Sequence, residues 1–172
     1  RSCLVGSEMC IRDSFHGVIT IIDKFLKTIE PNACLFGMKD YQQQLIIKDY
    51  VKRFDIETKI LALPTVREKS GLAMSSRNNY LTELEKENCG KIYSCISKLA
   101  SKINQITDAK KILHLKKSAF VFLEKNNFKV DYLEVLDAED LCEVSESSQK
   151  AIVAVAVKYN GIRLIDNIVF SL

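Results

Sequence analysis

The chain has 172 residues, room for one large domain or two small ones. Hydrophobic residues make up 47% of it and charged residues 27%, which excludes a disordered or fibrous chain and fits a soluble globular one. The net charge is +3, from 25 basic and 22 acidic residues spread along the sequence, so the concentrated basic stripe of a nucleic-acid binder is missing.

Short pairs such as Lys110-Lys111 and Lys116-Lys117 suit solvated helix faces. Apolar runs such as Ala151 to Val157 are too short to span a bilayer, and no signal-peptide pattern occurs, so a cytoplasmic protein without a membrane partner is expected. The cysteines, at positions 3, 10, 34, 89, 95 and 142, form no C-x-x-C pair. His16 and His114 have no cysteine at ligand spacing, so reduced thiols rather than a zinc site are expected.

Residues 1–14, RSCLVGSEMCIRDS, show no periodicity and start at Arg1 without an initiator Met. They resemble a translated sequencing-adapter tract and are expected to be non-native, with a frayed native terminus as the alternative. From Gly17, Val18, Ile21, Ile22, Phe25, Leu26 and Ile29 trace one face of an amphipathic helix that Pro31 ends. Ala33 to Phe36 reads as a short strand broken by Gly37. Asp40 is placed to cap a second helix reaching about Phe54, with Ile47, Tyr50, Val51 and Phe54 inward. Lys59 to Leu63 reads as another short strand, closed by Pro64. Helix, strand, helix, strand at this spacing predicts parallel strands joined by a crossover helix. Such a sheet needs cover on both faces, and residues 15–64 supply about half of one.

Residues 65–81 are loop-rich. Thr82 with Glu85 makes a capping box, and the helix that follows carries Ile92, Ile96, Leu99 and Ile103 as its stripe. Asp108 is placed to cap a further helix with Leu113, Phe120 and Leu123 inward, ended by Asn126-Asn127. Val130 to Leu136, Ala151 to Tyr159 and Ile162 to Val169 read as strands. Asn160-Gly161 marks a hairpin, since a type I′ turn needs positive φ at both central residues. The fold class is therefore α/β: half of a doubly wound parallel-sheet domain, followed by a smaller α+β unit with an antiparallel sheet.

Two polar clusters can carry chemistry. Gly37-Met38-Lys39-Asp40-Tyr41-Gln42-Gln43 lies where a parallel strand ends and a helix begins, the edge at which open α/β sheets bind ligands. Free N–H donors at a helix start and the charge of Lys39 suit an anion, while a turn with a solvated lysine fits the same residues. The second cluster is Pro64-Thr65-Val66-Arg67-Glu68 with Gly71-Leu72-Ala73-Met74-Ser75-Ser76-Arg77-Asn78. Hydroxyls, amides and a guanidinium in one loop suit phosphate oxygens. A Walker loop is absent, and a polar inter-domain linker fits equally well.

Taken together, FGMKDYQQ, PTVRE, SGLAMSSRNNYL, VDYLEVLDAEDL and RLIDNI, in this order and spacing, resemble the pantothenate synthetase (pantoate–β-alanine ligase) family of the nucleotidylyltransferase superfamily. The resemblance covers residues 15–172. It implies a partial Rossmann-like ATP- and pantoate-binding domain over 15–64 and a C-terminal lid domain over 65–172. It implies that Gly37, Met38, Lys39 and Asp40 contact ATP and that Gln43 holds pantoate. Val66 would give an adenine-side backbone contact, and Met74, Ser75, Ser76 and Arg77 would form the phosphate-binding loop. Lys39, Ser75, Ser76 and Arg77 are the residues it assigns to catalysis.

The implied reaction uses ATP and Mg²⁺. Pantoate carboxylate attacks the α-phosphate, and β-alanine then takes the pantoyl group from the adenylate, releasing AMP. A homodimer of the full-length protein is also implied. Met38 departs from the family's usual Glu. The family's histidine motif would precede Phe15, and His16 does not replace it, since it lies just ahead of a helix rather than in a strand-to-helix turn. This stretch alone is therefore expected to be inactive. Another adenylate-forming or nucleotidyl-transferring enzyme, or a non-catalytic binding module, are the competing classes.

Overall fold

Helix α1 spans Glu8–Ile29, β1 Ala33–Gly37, α2 Tyr41–Arg53 and β2 Lys59–Leu63. The structure is a computed structural model that describes residues 8–104 and 108–172. It divides into two compact units, one ending at Thr65 and one starting at Val66. Residues 1–7 of the segment expected to be non-native lie outside the described residues. Helix α1 starts ahead of the expected Gly17. Residues 8–16 contain neither Pro nor Gly, so nothing in them stops helical hydrogen bonding from extending upstream.

In the first unit β1 and β2 pair in parallel, from Ala33 opposite Lys59 to Gly37 opposite Leu63, and α2 makes the crossover. Leu26, Ile47 and Val51 are its buried centre, with Ile19, Ile22, Cys34, Phe36, Tyr50 and Ile60 packed around them. The apolar stripe expected on α1 is wider than this contact: Ile22 and Leu26 face the core, whereas Ile21, Phe25 and Ile29 are exposed. Phe54, expected inward, is 65% exposed, because α2 has ended at Arg53 and its ring lies against Tyr50 at 4.6 Å. Strand alternation puts Phe36 and Ile60 against the helices and leaves Leu35, Leu61 and Leu63 on an open face.

The second unit contains α3 (Glu83–Ile103), α4 (Ala109–Lys125), β3 (Lys129–Asp137), β4 (Lys150–Tyr159) and β5 (Ile162–Ser171). Thr82 and Glu85 form the reciprocal capping box at the start of α3. Ile92, Ile96, Leu99 and Ile103 are all buried, as their spacing predicts. Asp108 caps α4 by accepting from the N–H groups of Lys110 and Lys111. On α4 the inward face is Ile112, Leu115, Ala119 and Leu123, so of the expected set only Leu123 is buried. Leu113 and Phe120 each lie one position away from that stripe, about 100° around the helix, and are exposed.

The sheet is antiparallel in the order β3-β4-β5. Asn160 and Gly161 both have positive φ, 48° and 80°, which is the type I′ hairpin read from Asn-Gly. Val153, Val155 and Val157 of the central strand join Leu133, Phe128 and the α3 stripe in one core. Cys89 and Cys95 sit in it as free thiols, and burial pushes each up to about 11, so they behave as small hydrophobes. Among the described residues no helix is long and apolar enough to cross a membrane, and no group of three or more His, Cys, Asp or Glu could hold a metal ion.

Candidate functional site

The first polar cluster is one continuous turn at the C-terminal end of β1. Gly37 ends the strand rather than breaking it, with φ −69° and ψ 136°, a backbone open to any residue. A Cβ placed there would meet nothing within 4 Å, so the space before the strand end is open. Met38–Asp40 form a 3-10 turn that leads into α2. Asp40 occupies the cap position but makes no side-chain cap bond, contrary to expectation. Its ψ of 57° is not the extended backbone from which a capping carboxylate reaches back to the first N–H groups.

Lys39 and Gln43 are half-buried on this turn and the helix start. The glutamines flanking Gln43 are unusual. Gln44 is 1% exposed, in line with Ile47 and Val51 on the inner face of α2. The Nε2 atoms of Gln42 and Gln44 are both buried without a hydrogen-bond partner among the described residues. A buried amide of this kind was not foreseen, because periodicity marks apolar positions and passes over a polar residue standing on one.

The second cluster is not a slack linker. Val66 and Met74 are joined by the Met74 N–H to the Val66 carbonyl at 2.9 Å, and Arg67 bridges Ala73. Between them Glu68 N–H donates to Leu72 at 2.8 Å, and Gly71 N–H to Glu68 at 2.8 Å. Gly71 has φ 93°, a conformation that glycine adopts without strain. The side chains of Leu72 and Ala73 are buried beneath this turn. Ser75 then caps a 3-10 helix, Ser76–Tyr80, by accepting from the Arg77 N–H at 3.3 Å. Asn78 is buried and donates to Glu68 at 2.6 Å and to the Ala73 carbonyl at 3.2 Å.

Val66 and Met74 are exposed at 66% and 55%, and Ser76 and Arg77 are exposed beside them. The turn thus presents two apolar side chains, two hydroxyls and a guanidinium from a fixed stem. Apolar contact for a flat base, with hydroxyls and a cation for phosphate oxygens, is the chemistry this surface can offer. Gly37 to Gln43 come together on one turn of the first unit, and Val66 with Met74 to Arg77 on one turn of the second.

Residues that sequence reading left without a role anchor this second turn. Arg67, in PTVRE, forms a two-pronged ion pair with Asp166, in RLIDNI, at 2.6 and 2.9 Å. Both stretches were visible only as shared motifs, and nothing in their spacing indicates that they touch.

A family model described as pantoate-beta-alanine ligase matches residues 6–169. A pantothenate synthetase of Vesicomyosocius okutanii subsp. Calyptogena okutanii is 41% identical over 170 residues, covering 97% of this chain and 59% of its own length. One from Buchnera aphidicola subsp. Acyrthosiphon pisum is 43% identical over 155 residues, covering 89% of this chain and 53% of its own length. The chain thus spans rather more than half the length of these curated relatives. The crystal structure of pantothenate synthetase from Thermus thermophilus superposes with a TM-score of 0.78 at 30% identity, covering 88% of this chain and 54% of that one. A pantoate-beta-alanine ligase from Francisella tularensis, complexed with beta-gamma ATP and beta-alanine, gives 0.60 at 30% identity, covering 90% of this chain and 49% of that one.

Proposed function

The chain belongs to the pantoate-beta-alanine ligase family, and we propose that the whole protein condenses pantoate with β-alanine, using ATP and releasing AMP and pyrophosphate. The observation that carries this reading is that both polar clusters lie inside the matched residues 6–169. Exposed Ser76 and Arg77 on an ordered stem, and Lys39 at a strand end, are the kinds of group that the reaction needs.

In the first step pantoate carboxylate attacks the α-phosphate of ATP, and pyrophosphate leaves. Negative charge builds on the phosphate oxygens, so Lys39, Ser75, Ser76 and Arg77 act by electrostatic stabilisation. Gly37, Met38 and Asp40 contact the nucleotide along the same turn as Lys39. Gln43 orients pantoate, a positioning role. The Val66 backbone contacts the adenine side, and Met74 belongs to the phosphate-binding loop with Ser75, Ser76 and Arg77. In the second step the amine of β-alanine attacks the activated carbonyl and AMP leaves. Exclusion of water by the 71–78 segment protects the adenylate from hydrolysis.

Mg²⁺ enters with ATP as substrate. Magnesium is commonly bound through substrate phosphates rather than by a dedicated protein cage. Bound to the triphosphate, it would supply shielding of the phosphate charge. A homodimer acting in the cytoplasm completes the proposal.

The test is substrate choice. Purified whole protein should form AMP only when pantoate and β-alanine are both supplied. Equal AMP formation with unrelated carboxylic acids would favour a different adenylating enzyme. No nucleotide binding at all would favour a non-catalytic module.

A further inference from the structure

PTVRE and RLIDNI each contain a charged residue that the proposed reaction does not use, and the fold brings these two residues together across 99 positions. Arg67 Nη1 donates to Asp166 Oδ2 at 2.6 Å and Nη2 donates to Oδ1 at 2.9 Å. The same guanidinium donates to the carbonyls of Gly71 at 3.1 Å and Asn167 at 3.5 Å. Its carbon stands 3.6 Å above the centre of the Tyr93 ring on α3. The two side chains are only 18% and 3% exposed. Below the turn, α3 approaches so closely that a Cβ on Gly90 would lie 2.1 Å from the Ser70 carbonyl oxygen. At the far end of the segment Asn78 ties Glu68 to Ala73.

A buried ion pair is weak evidence for stability, because desolvation offsets most of its attraction and a well-packed apolar pair would serve as well. What a forked arginine adds is direction. Its planar donors fix the carboxylate, two backbone carbonyls and a stacked ring in one arrangement. That arrangement holds the stem of the turn whose exposed tip is Met74 to Arg77.

We propose that Arg67 and Asp166 are positioning residues, which clamp the 66–73 stem onto α3 and β5 so that Ser75, Ser76 and Arg77 meet a nucleotide polyphosphate in one fixed arrangement. The proposal rests on reading residues 74–77 as phosphate-binding. Arg67 is engaged by Asp166, Asn167, Gly71 and Tyr93, so the pair acts on nucleotide engagement through the stem.

The experiment uses the whole protein with Arg67→Lys and, separately, the double variant Arg67→Met/Asp166→Leu, which removes both charges and keeps an apolar fill. Arg67→Lys retains charge but not the fork. In both, KM for ATP should rise at least about tenfold with KM for β-alanine unchanged, the size expected when a bidentate buried contact is lost. Amide hydrogen exchange at residues 68–78, measured without nucleotide, should quicken by a similar factor while the β4 amides stay protected. A double variant with the parent's KM for ATP and parent exchange at 68–78 would overturn the proposal, even if Arg67→Lys alone failed to fold. Arg77→Ala serves as the separate control. Unchanged KM for ATP there would sink the phosphate-binding reading, while the exchange result would still judge the clamp.

Discussion

The two units solve the same problem, covering a sheet, to different degrees. In the second, Val153, Val155 and Val157 of the central strand lie in one core with the stripe of α3 and Leu123 of α4. In the first, helices cover one face of the β1–β2 pair, while Leu35, Leu61 and Leu63 remain 46–62% exposed on the other. Parallel sheets are ordinarily covered on both faces. The second unit is therefore where packing should dominate stability, and the open sheet face of the first is where a side chain can change with small consequence. The same contrast separates the two polar clusters: a strand-end turn with open space around Gly37, and a hydrogen-bonded hairpin braced by a buried ion pair.

The contrast is most directly broken by truncation. Phe128 is 1% exposed and packs 5.2 Å from the Tyr159 ring, so Phe128→Ala should cost about 3–5 kcal/mol by urea denaturation. Leu61→Ala on the open face should stay within about 0.5 kcal/mol. Similar losses at both positions would remove the distinction. Gly90→Ala drives a Cβ into the Ser70 carbonyl, a backbone atom that cannot rotate away, and should destabilise the second unit by about 1–3 kcal/mol.

A change of opposite sign is expected in the first unit. Gln44 stands on an apolar face with no partner for its amide nitrogen among the described residues, so Gln44→Leu should stabilise that unit by about 1–3 kcal/mol in the same assay. Loss of stability on this substitution would mean that the amide is paired in solution.

Thr82→Ala removes the α3 cap and should cost about 1 kcal/mol. The Thr82 backbone N–H, the Thr82 hydroxyl and Asn160 hold the Glu85 carboxyl below the usual carboxylate range. A depressed carboxyl stabilises the fold above its ordinary value and loses that contribution as pH falls through its lowered folded value. Glu85→Gln should therefore narrow the stability gap between neutral and acid pH. Alkylation gives the smallest effect: Cys89 and Cys95, held near 11 by burial, should react with iodoacetamide at pH 7 only as fast as the second unit opens.

How much of this was legible in the sequence depends on how local each cause is. The α3 stripe, both helix caps of the second unit and the Asn160-Gly161 turn follow from residues within one or two turns of each other, and all appear in the structure. Faces were harder. On α4 the large Phe120 and Leu113 drew the expected stripe about 100° away from the true one, because periodicity reports spacing and not which side a neighbour occupies. On α1 an apolar stripe wider than its contact left Phe25 outside. Asp40 looked like a cap by residue type, but a 3-10 turn set its backbone otherwise.

Of the candidate site, residue types alone left the Val66 to Asn78 stretch undecided between a linker and a loop for phosphates, and resemblance to a family supplied the roles. The structure adds the ordered stem beneath Met74 to Arg77. The Arg67–Asp166 clamp was illegible because its partners come from opposite ends of the second unit and share no period or spacing.

The central claim, that these residues serve activation of pantoate by ATP, is tested most directly by pantoate-dependent pyrophosphate release from whole protein carrying Lys39→Ala. The expected rate is at least about 100-fold slower, the scale of removing one transition-state charge stabiliser, with folding unchanged. Release at the parent rate would contradict it.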